Sequence, residues 1–522
     1  MRPSNYSIFC LTLLAIVALS YGQKVPNTPG FQVSANTQFE LLATSGQSKY
    51  YRIQASHADG SVAYSTPPYF LRLAGSRFNM GADFATLAGK DVEACFEALL
   101  NKINISQAER ESLSELLLTF GVEQWEDWLS KQVSAVYLQE IAGIKSVSNK
   151  VYRIITSTIV LANLPSDMPE DFVPVLEDEK ANPNYPRTGP GASPSSSSSA
   201  APSSLFETLR RLGYFDRLFG GMSGFQCSMY AVWGSRTAGN QLFSCRNLDY
   251  TRDMGINPWK SVTMWVPDDG AHPHVAYGFL PLYGVLSGNN AVGITVHEAN
   301  LEEKNETFRG YPWVLRLRHV MENSANLAEA MQLWYATNNT IGYNHMLASS
   351  ADAGLNTHAA SVFETAAFYN GQFYDNSTVE ATALHNGQVY GYPLPEALWR
   401  TNHPYDPRLS ADYLWWTFNA YKWSQQRYMF IHQSVVEYEA ASVPIDYIQA
   451  INITSVVADK GQQSPYLCTA DASAHGANIL SVTHQPKSDM VYVAWDDSEG
   501  ATWSPACCNT YIAIDLSQWW SQ

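Results

Sequence analysis

The chain has 522 residues, of which 46% are hydrophobic and 15% charged, and it carries a formal net charge of −16. This composition is that of a folded globular protein, long enough for two or three ordinary domains. The negative charge argues against nucleic acid as a partner, because association with a polyanion would be repulsive.

The N-terminus has the layout of a secretory signal peptide. Arg2 precedes an apolar run from Ile8 to Leu19, and small residues lead to a cleavage point after Gly22. The run is too short to span a membrane comfortably, and no later apolar stretch is long enough. We therefore expect residues 1–22 to be removed. The mature protein is then secreted or lysosomal, without an integral membrane segment.

Five Asn-X-Ser/Thr sequons fit that compartment and predict N-glycosylation. Any one of them could arise by chance, but five after a signal peptide favour glycosylation. They are Asn104, Asn305, Asn338, Asn376 and Asn452.

The cysteine count is informative because Cys10 leaves with the signal peptide and six cysteines remain. In an oxidising compartment six cysteines would form three disulfides. A cysteine reserved as a nucleophile upsets this parity. A free Cys227 therefore predicts a second free thiol, for which we choose Cys245 in an apolar strand-like run. The others are expected in disulfides whose pairing stays open: Cys95, Cys468, Cys507 and Cys508.

The segment 23–181 is predicted to be mostly helical. In "DVEACFEALLNKI" the apolar residues recur at helical spacing. Ser106 and Glu109 then have the spacing of a capping box, which predicts the start of the next helix. No residue pattern here indicates catalytic chemistry, so we interpret the apolar positions as packing.

The composition changes at residues 182–204, which read "NPNYPRTGPGASPSSSSSAAPSS". A stretch so rich in Pro, Ser and Gly buries little apolar surface and predicts a flexible linker. Ser204 and Glu207 then predict a capped helix within the segment 205–226, which leads to the candidate nucleophile.

From about residue 222 the sequence is rich in short β-branched and aromatic runs separated by Gly and Asn. Strands are predicted at "CSMYAVWG", "QLFSCRNLDY", "SVTMWVP", "HVAYGF" and "AVGITVHEAN". Helices are predicted at about 311–336 and 412–440, before a terminal strand pair, "DMVYVAWDD" and "NTYIAIDL". This order predicts an α+β domain over 227–522 with sheets covered by helices.

The candidate for chemistry is Cys227, in "GFQCSMY". A thiol attacks as thiolate, so it needs a lowered pKa or a nearby base. An N-terminal cysteine meets this need because its own α-amine, with a pKa of about 7.7–8.0, can act as the base. That requires cleavage of the Gln226–Cys227 bond. In "CRNLDY", Arg246 would favour the thiolate and Asp249 would accept hydrogen bonds from the new amine.

Cys-Ser followed about 18 residues later by "RNLDY" resembles the opening motif of the cysteine N-terminal-nucleophile hydrolases. This group includes penicillin acyltransferases, acid ceramidase, N-acylethanolamine acid amidase and bile-salt hydrolase. "GNNAVGITVHEANL", "WRTNHPYD" and "SQQRYMF" resemble further motifs of the group, in the same order. The resemblance covers roughly 222–520. It implies a four-layer αββα domain, with segment 23–181 as a pro-segment or α-chain.

The resemblance also implies a role for each matching residue. Asn300 matches the position whose backbone N–H helps to bind the oxyanion, Asn402 matches the side-chain oxyanion donor, and Arg427 matches a late arginine. No metal and no cofactor is implied. The predicted catalytic set is Cys227, Arg246, Asp249, Asn300, Asn402 and Arg427.

The implied function is an amidohydrolase that cleaves itself at Gln226–Cys227 into two chains and acts on linear C–N amides, such as those of N-acyl lipids. Two alternatives stay open: an acyltransferase, and a secreted binding glycoprotein that has lost activity on the same scaffold. The intact catalytic set argues against the second. The acyl chain, the amine and the oligomeric state are not given by the sequence.

Some polar residues outside this set are expected to have ordinary roles. His297 and His345 lack metal-ligand spacing and are interpreted as hydrogen-bonded residues of the fold. Asp253 and Glu298 are expected at the surface or in support of the site.

Overall fold

A computed structural model gives the structure of most of the chain. Residues 1–30, the linker 182–204, the helix predicted after it, Asn104, Asp253 and Cys468 lie outside the described residues. The described ranges are 31–103, 105–163, 226–250, 254–354, 356–417, 419–460, 478–498 and 503–521.

Nineteen strands are found in these ranges. In chain order they are β1 (Gln32–Val33), β2 (Asn36–Ser45), β3 (Ser48–Ser56), β4 (Tyr69–Gly75), β5 (Gln226–Val232), β6 (Phe243–Asp249), β7 (Lys260–Pro267), β8 (His274–Phe279), β9 (Ser287–Asn290), β10 (Ile294–Asn300), β11 (Tyr343–Ser349), β12 (Ala360–Ala366), β13 (Tyr369–Phe373), β14 (Leu384–His385), β15 (Gln388–Val389), β16 (Ala397–Arg400), β17 (Asn478–Gln485), β18 (Met490–Trp495) and β19 (Thr510–Asp515).

The α-helices of the same ranges come in two groups, one before β5 and one after β10. They are α1 (Arg77–Asn101), α2 (Gln107–Asp127), α3 (Ala135–Val147), α4 (Asn149–Leu161), α5 (Trp313–Asn323), α6 (Leu327–Tyr335), α7 (Thr378–Ala381), α8 (Pro407–Asp412), α9 (Asn419–Ala440) and α10 (Tyr447–Lys460). None of the helices in the described part of the chain is long and apolar enough to cross a membrane.

The strands form two large sheets and one short hairpin. The seven-stranded sheet has the order β1-β19-β18-β17-β6-β5-β16, and the ten-stranded sheet has the order β13-β12-β11-β10-β9-β8-β7-β4-β3-β2. Neighbouring strands are antiparallel except at two pairs, β1 with β19 and β4 with β7. The hairpin is β14–β15.

The two sheets pack face to face over an apolar core. Met229 and Leu480 of the seven-stranded sheet lie in one buried cluster with Val262 and Val275 of the ten-stranded sheet. Helices α9 and α10 cover the outer face of the first sheet, and α1, α5 and α6 cover the outer face of the second. The α+β class and the four-layer αββα order expected from the sequence are therefore confirmed.

The strand and helix predictions after residue 222 are largely confirmed. The five quoted runs form β5, β6, β7, β8 and β10, and the terminal pair forms β18 and β19. The helix predicted at about 311–336 is two helices, α5 and α6, since the chain turns at Ser324, where the backbone is extended. Most of the run predicted at 412–440 is α9.

The N-terminal segment is less helical than predicted. Its helices α1–α4 are present, and the capping box of Ser106 and Glu109 opens α2. Residues before Arg77, however, form β1–β4, because runs such as "SKYYRIQAS" and "YFLRLAG" place aromatic and aliphatic residues on sheet faces. Strand β1 joins the seven-stranded sheet and β2–β4 extend the ten-stranded one. Both sheets therefore contain strands from both sides of the predicted cleavage bond.

A buried charge network ties the N-terminal helices to α5. Glu140 on α3 accepts hydrogen bonds from Arg318 at 2.6 and 2.8 Å, from Arg77 at 3.0 Å and from Tyr283 Oη at 2.6 Å. Arg77 also donates to Glu322 at 2.8 Å. Removing one partner of such a network leaves a buried charge uncompensated, at a typical cost of about 3–5 kcal/mol. The network therefore joins these two parts of the chain firmly.

The cysteine predictions are correct in part. Cys227 and Cys245 are free thiols as expected, but Cys95 and Cys507 are not disulfide-bonded either, so the prediction that those two form disulfides is wrong. Cys95 lies among apolar side chains on α1, where a thiol packs as a small apolar group. Cys508 is disulfide-bonded.

The sequons differ in exposure. Asn338 and Asn376 are exposed and Asn305 is half-buried, which leaves their predicted glycosylation possible. Asn452 is only 6% exposed, and its Nδ2 donates to Tyr438 Oη at 2.9 Å. A glycan on Asn452 would displace this contact, so the prediction at that position does not fit the fold.

A chain of hydrogen bonds links the two sheets through two histidines. Ser244 Oγ lies 2.8 Å from His297 Nε2, and Ser287 Oγ lies 2.9 Å from His297 Nδ1 and 3.1 Å from His484 Nε2. His484 Nδ1 is 3.1 Å from Asn289 Oδ1. Burial lowers the pKa of His297 and lowers that of His484 to about 3. The expectation of an ordinary hydrogen-bonded role for His297 is met.

These buried histidines predict acid sensitivity of the fold. The pKa of His484 is about 3 in the folded chain, against about 6.5 in the unfolded chain. The unfolded state therefore binds more protons between these values, and stability falls as the pH drops below 6.5. The slope is at most about 1.4 kcal/mol per pH unit for each histidine. We expect the His484→Gln variant to lose less stability than the wild type between pH 6.5 and 4.5, measured by urea unfolding.

The control is Thr483→Ser, which exchanges one non-titrating buried side chain for another on the same strand and should keep the wild-type pH dependence. An unchanged slope in the His484→Gln variant would contradict the prediction.

Candidate active site

Cys227 is the second residue of β5 and is 3% exposed. Its backbone N–H donates to Asn402 Oδ1 at 2.8 Å, and its Sγ lies 3.5 Å from Arg246 Nη2. The pairing of β5 with β6 places Gln226 opposite Asp249. Strand register alone therefore brings the "CRNLDY" motif alongside the bond before Cys227.

Asn402 connects four polar groups in the centre of the site. It lies just after β16 and is fully buried. Its Oδ1 accepts from the Cys227 N–H and, at 2.6 Å, from Arg427 Nη2. Its Nδ2 donates to the Asn300 backbone oxygen at 2.9 Å and to Asn300 Oδ1 at 2.6 Å. Because donors face the oxygen and acceptors face the nitrogen, the orientation of this amide is fixed.

Arg246 is held by Glu298, which the sequence analysis left outside the catalytic set and expected at the surface or in support of the site. Its Nε donates to the Glu298 backbone oxygen at 3.0 Å, and its Nη2 forms an ion pair with the Glu298 carboxylate. Glu298 is 3% exposed, in agreement with the expectation that it supports the site. The sequence did contain a pattern that indicates this role. Glu298 and Asn300 are two residues apart on β10, so their side chains lie on the same face of the strand, and Asn300 was already in the predicted set.

The Cys227 thiol is protonated in this environment. Burial raises its pKa to about 12; the charge of Arg246 opposes this rise, and those of Glu298 and Asp249 add to it. Burial also raises the pKa of Glu298, with Arg246 acting against it. Arg246 alone therefore does not make Cys227 a thiolate, and a proton acceptor in direct contact with the thiol is needed.

Asp249 ends β6 and is fully buried. Its backbone N–H bonds to the Cys227 sulfur, and its carboxylate accepts from Asn478 Nδ2 at 2.8 Å. Arg427, on α9, is also buried and reaches the Cys227 backbone oxygen at 3.4 Å through Nη2. The six residues of the predicted set are thus gathered around one backbone segment. Their catalytic roles stay predictions.

A cavity of about 260 Å³ opens next to Cys227. On one side its wall is apolar and includes Phe96 and Leu99 of α1, Leu117 of α2 and Leu161 of α4. The sequence predicted only packing for these helices, whereas the fold also places them around the cavity that Cys227 lines. Its size is near the lower end of ordinary small-molecule sites, about 300 Å³.

The wall near Cys227 is acidic. Glu298, Glu302 and Glu306 line the cavity together with Asn300 and Tyr343. Asn300 Nδ2 donates to Glu302 Oε1 at 2.9 Å, which places this carboxyl group close to the Asn300–Asn402 pair. The lining of the cavity therefore combines apolar side chains of three helices with a polar, acidic group of residues near the thiol.

Among the described residues, no group of three or more His, Cys, Asp or Glu side chains could hold a metal ion. His345, for which an ordinary role was expected, packs against Trp334 with ring centroids 4.7 Å apart.

Comparison with known proteins gives structural likeness only. No protein-family model matches the chain, and no curated protein matches it. Among solved structures, it is similar to an N-acylethanolamine-hydrolyzing acid amidase ortholog of Caenorhabditis elegans, at 16% identity over 50% of this chain and 93% of that chain, with a TM-score of 0.33.

It is also similar to penicillin V acylase from Agrobacterium tumefaciens, at 13% identity over 56% of this chain and 87% of that chain, with a TM-score of 0.34. A third similar structure is that of a mutant conjugated bile acid hydrolase from Clostridium perfringens, at 14% identity over 56% of this chain and 93% of that chain, with a TM-score of 0.33. The amidase and the bile acid hydrolase are of the group that the sequence motifs resemble.

Proposed function

We propose that this protein is an amide hydrolase that generates its own N-terminal nucleophile by cleaving the Gln226–Cys227 bond. The observation that carries this proposal is the position of the Cys227 nitrogen. Both the thiol and the backbone N–H of Cys227 lie in the site, and the N–H donates to Asn402 Oδ1 at 2.8 Å. Cleavage of the bond before Cys227 would therefore place the new amine beside its own thiol and Asn402, where it can act as the base.

In the proposed self-cleavage, Cys227 Sγ attacks the carbonyl carbon of Gln226. The C–N bond breaks, the nitrogen of Cys227 takes up a proton and becomes an amine, and a thioester joins Gln226 to the sulfur. Water then hydrolyses the thioester. This leaves one chain that ends in a carboxylate at Gln226 and one that begins with Cys227, whose amine stays near Asn402.

In the proposed turnover, the new amine takes the thiol proton and the thiolate attacks the substrate carbonyl. Asn402 Nδ2 and the backbone N–H of Asn300 would bind the oxyanion, and such a donor is worth about 2.7–4 kcal/mol in other enzymes. In the uncleaved chain Asn402 Nδ2 donates to Asn300, so the oxyanion would replace an Asn300 oxygen as acceptor. The amine returns the proton to the leaving nitrogen, and water hydrolyses the thioester.

The shape of the cavity supports an N-acyl lipid as substrate. Cys227 lines the cavity, and the apolar wall formed by α1, α2 and α4 can receive an acyl chain from the scissile carbonyl. Burial of each methylene group contributes about 0.8 kcal/mol, so such a wall favours long chains over short ones.

The acidic residues of the cavity wall determine which charge of the leaving amine is favoured. Glu302 and Glu306 line the cavity close to the nucleophile, and the cation nearest the thiol, Arg246, is already paired with Glu298. A neutral or cationic amine fits such a wall, whereas an anionic one would meet like charges. At an effective dielectric constant of 20, two charges 4 Å apart interact by about 4 kcal/mol.

Self-cleavage is tested with Cys227→Ala. Wild-type protein should separate on denaturing electrophoresis into pieces of roughly 200 and 300 residues, and N-terminal sequencing of the larger piece should begin at Cys227. The variant should stay whole and hydrolyse no amide, because it lacks the sulfur. The matched control is Cys245→Ala, a buried free thiol on the adjacent strand, which should be processed like the wild type. A folded but uncleaved wild type would refute the mechanism.

The acyl end is tested at Cys95, a fully buried residue that lines the cavity on α1. Cys95→Leu adds volume inside the apolar wall. We expect kcat/KM for an N-hexadecanoyl amide to fall about tenfold or more relative to an N-hexanoyl amide. Cys95→Ala, which adds no volume, is the control. Equal losses on both chain lengths would show that the acyl chain does not bind there.

The leaving-group end is tested with N-dodecanoyl conjugates of ethylenediamine, ethanolamine and glycine, which are cationic, neutral and anionic. We expect kcat/KM for the glycine conjugate to be about tenfold or more below the other two. Glu302→Gln and Glu306→Gln should reduce this difference, and Glu40→Gln at an exposed position should not. A preference for the glycine conjugate would contradict the assignment.

A further inference from the structure

Asn478 is a fully buried residue for which the sequence predicted no role. It is the first residue of β17, and the pairing of β17 with β6 sets it opposite Asp249. Between Asn478 and Leu480 the register shifts, because two residues of β17 oppose one of β6. Such bulges re-aim side chains and are frequent beside active sites.

The Asn478 side chain forms hydrogen bonds at both ends of its amide. Nδ2 donates to Asp249 Oδ1 at 2.8 Å, whereas Oδ1 accepts from the Cys507 backbone N–H at 2.8 Å and from Ser481 Oγ at 3.2 Å. The terminal turn around Cys507 thereby fixes which way the amide points. A carboxylate at this position could not donate a hydrogen bond to Asp249. An apolar side chain could neither donate to Asp249 nor accept from the Cys507 N–H.

The partner of Asn478 is a buried carboxylate beside the proposed nucleophile. Asp249 lies opposite Gln226 in the strand pair, and its backbone N–H contacts the Cys227 sulfur. A buried carboxylate needs donors to be stable, and here the donor must not bring another charge into the site. The ionisable groups next to the thiol besides Asp249 include Arg246 on β6, Glu298 on β10 and Tyr343 on β11.

We infer that Asn478 is a positioning residue, which holds the Asp249 carboxylate in the orientation that receives the new amine of Cys227. The inference rests on the proposed function, since the amine exists only after cleavage. Asn478 is not among the residues that line the cavity, and its shortest hydrogen bond into the site is the one to Asp249; its Nδ2 also lies 3.4 Å from the backbone oxygens of Leu248 and Leu480.

The test is Asn478→Asp, which keeps the shape and exchanges the donor for a second carboxyl group. At pH 7 the two carboxylates repel and the hydrogen bond is lost, so amide hydrolysis by the cleaved protein should fall about 10-fold to 100-fold, whereas self-cleavage, which precedes the amine, should not. At about pH 5 the pair can share a proton, and the protonated group again donates to Asp249. We therefore expect a pH–rate profile shifted towards acid relative to the wild type.

Recovery at low pH separates positioning from misfolding, because a misfolded chain would not regain activity on acidification. Asn478→Ala should lose activity at every pH, and Asn509→Asp, the same exchange in the terminal turn without contact to Asp249, should keep the wild-type profile. If the wild type is active and the Asn478→Asp variant shows the same pH–rate profile as the wild type, the inference is wrong. If the folded wild type neither cleaves itself nor hydrolyses amides, the proposed function fails and this inference with it.

Discussion

Burial of the Cys227 thiol is the constraint on which the rest of the site depends. At 3% exposure its pKa rises to about 12, so the sulfur cannot act by losing its proton to water. Arg246 does not remove this obstacle, because Glu298 neutralises it. The group next to the thiol that could become a base is the backbone nitrogen of Cys227 itself, whose N–H donates to Asn402 Oδ1. The arrangement suits a nucleophile whose base is its own amine.

The second constraint is the meeting of the two sheets. Cys227, Arg246 and Asp249 come from neighbouring strands of the seven-stranded sheet, and Glu298 and Asn300 come from β10 in the ten-stranded sheet. These groups face one another only because the sheets pack face to face. The site is therefore placed by close-packed β-structure, which limits the freedom of its side chains.

Sequence motifs named the residues that the fold gathers around Cys227 but not all of their partners, for a physical reason. Cys227, Arg246 and Asn402 stand in ordered motifs that can be compared along a chain. The partnership of Arg246 with Glu298, and that of Asp249 with Asn478, depends on strand register between segments up to more than 200 residues apart. Local patterns do not encode such register, and the same holds for β1, which pairs with β19 near the other end of the chain, and for β4, which pairs with β7 in the middle of the chain.

The segment before the proposed cleavage bond is part of the same body as the segment after it. Strands β1 and β4 pair with β19 and β7, Glu140 bonds to Arg318, and Leu117 lines the cavity of Cys227. Cleavage at Gln226 would cut the chain without breaking any of these contacts. Because α1, α2 and α4 form the apolar wall, the substrate site would still consist of both chains. A role for the N-terminal segment limited to keeping the precursor inactive does not account for this geometry, since its helices remain where an acyl chain would bind.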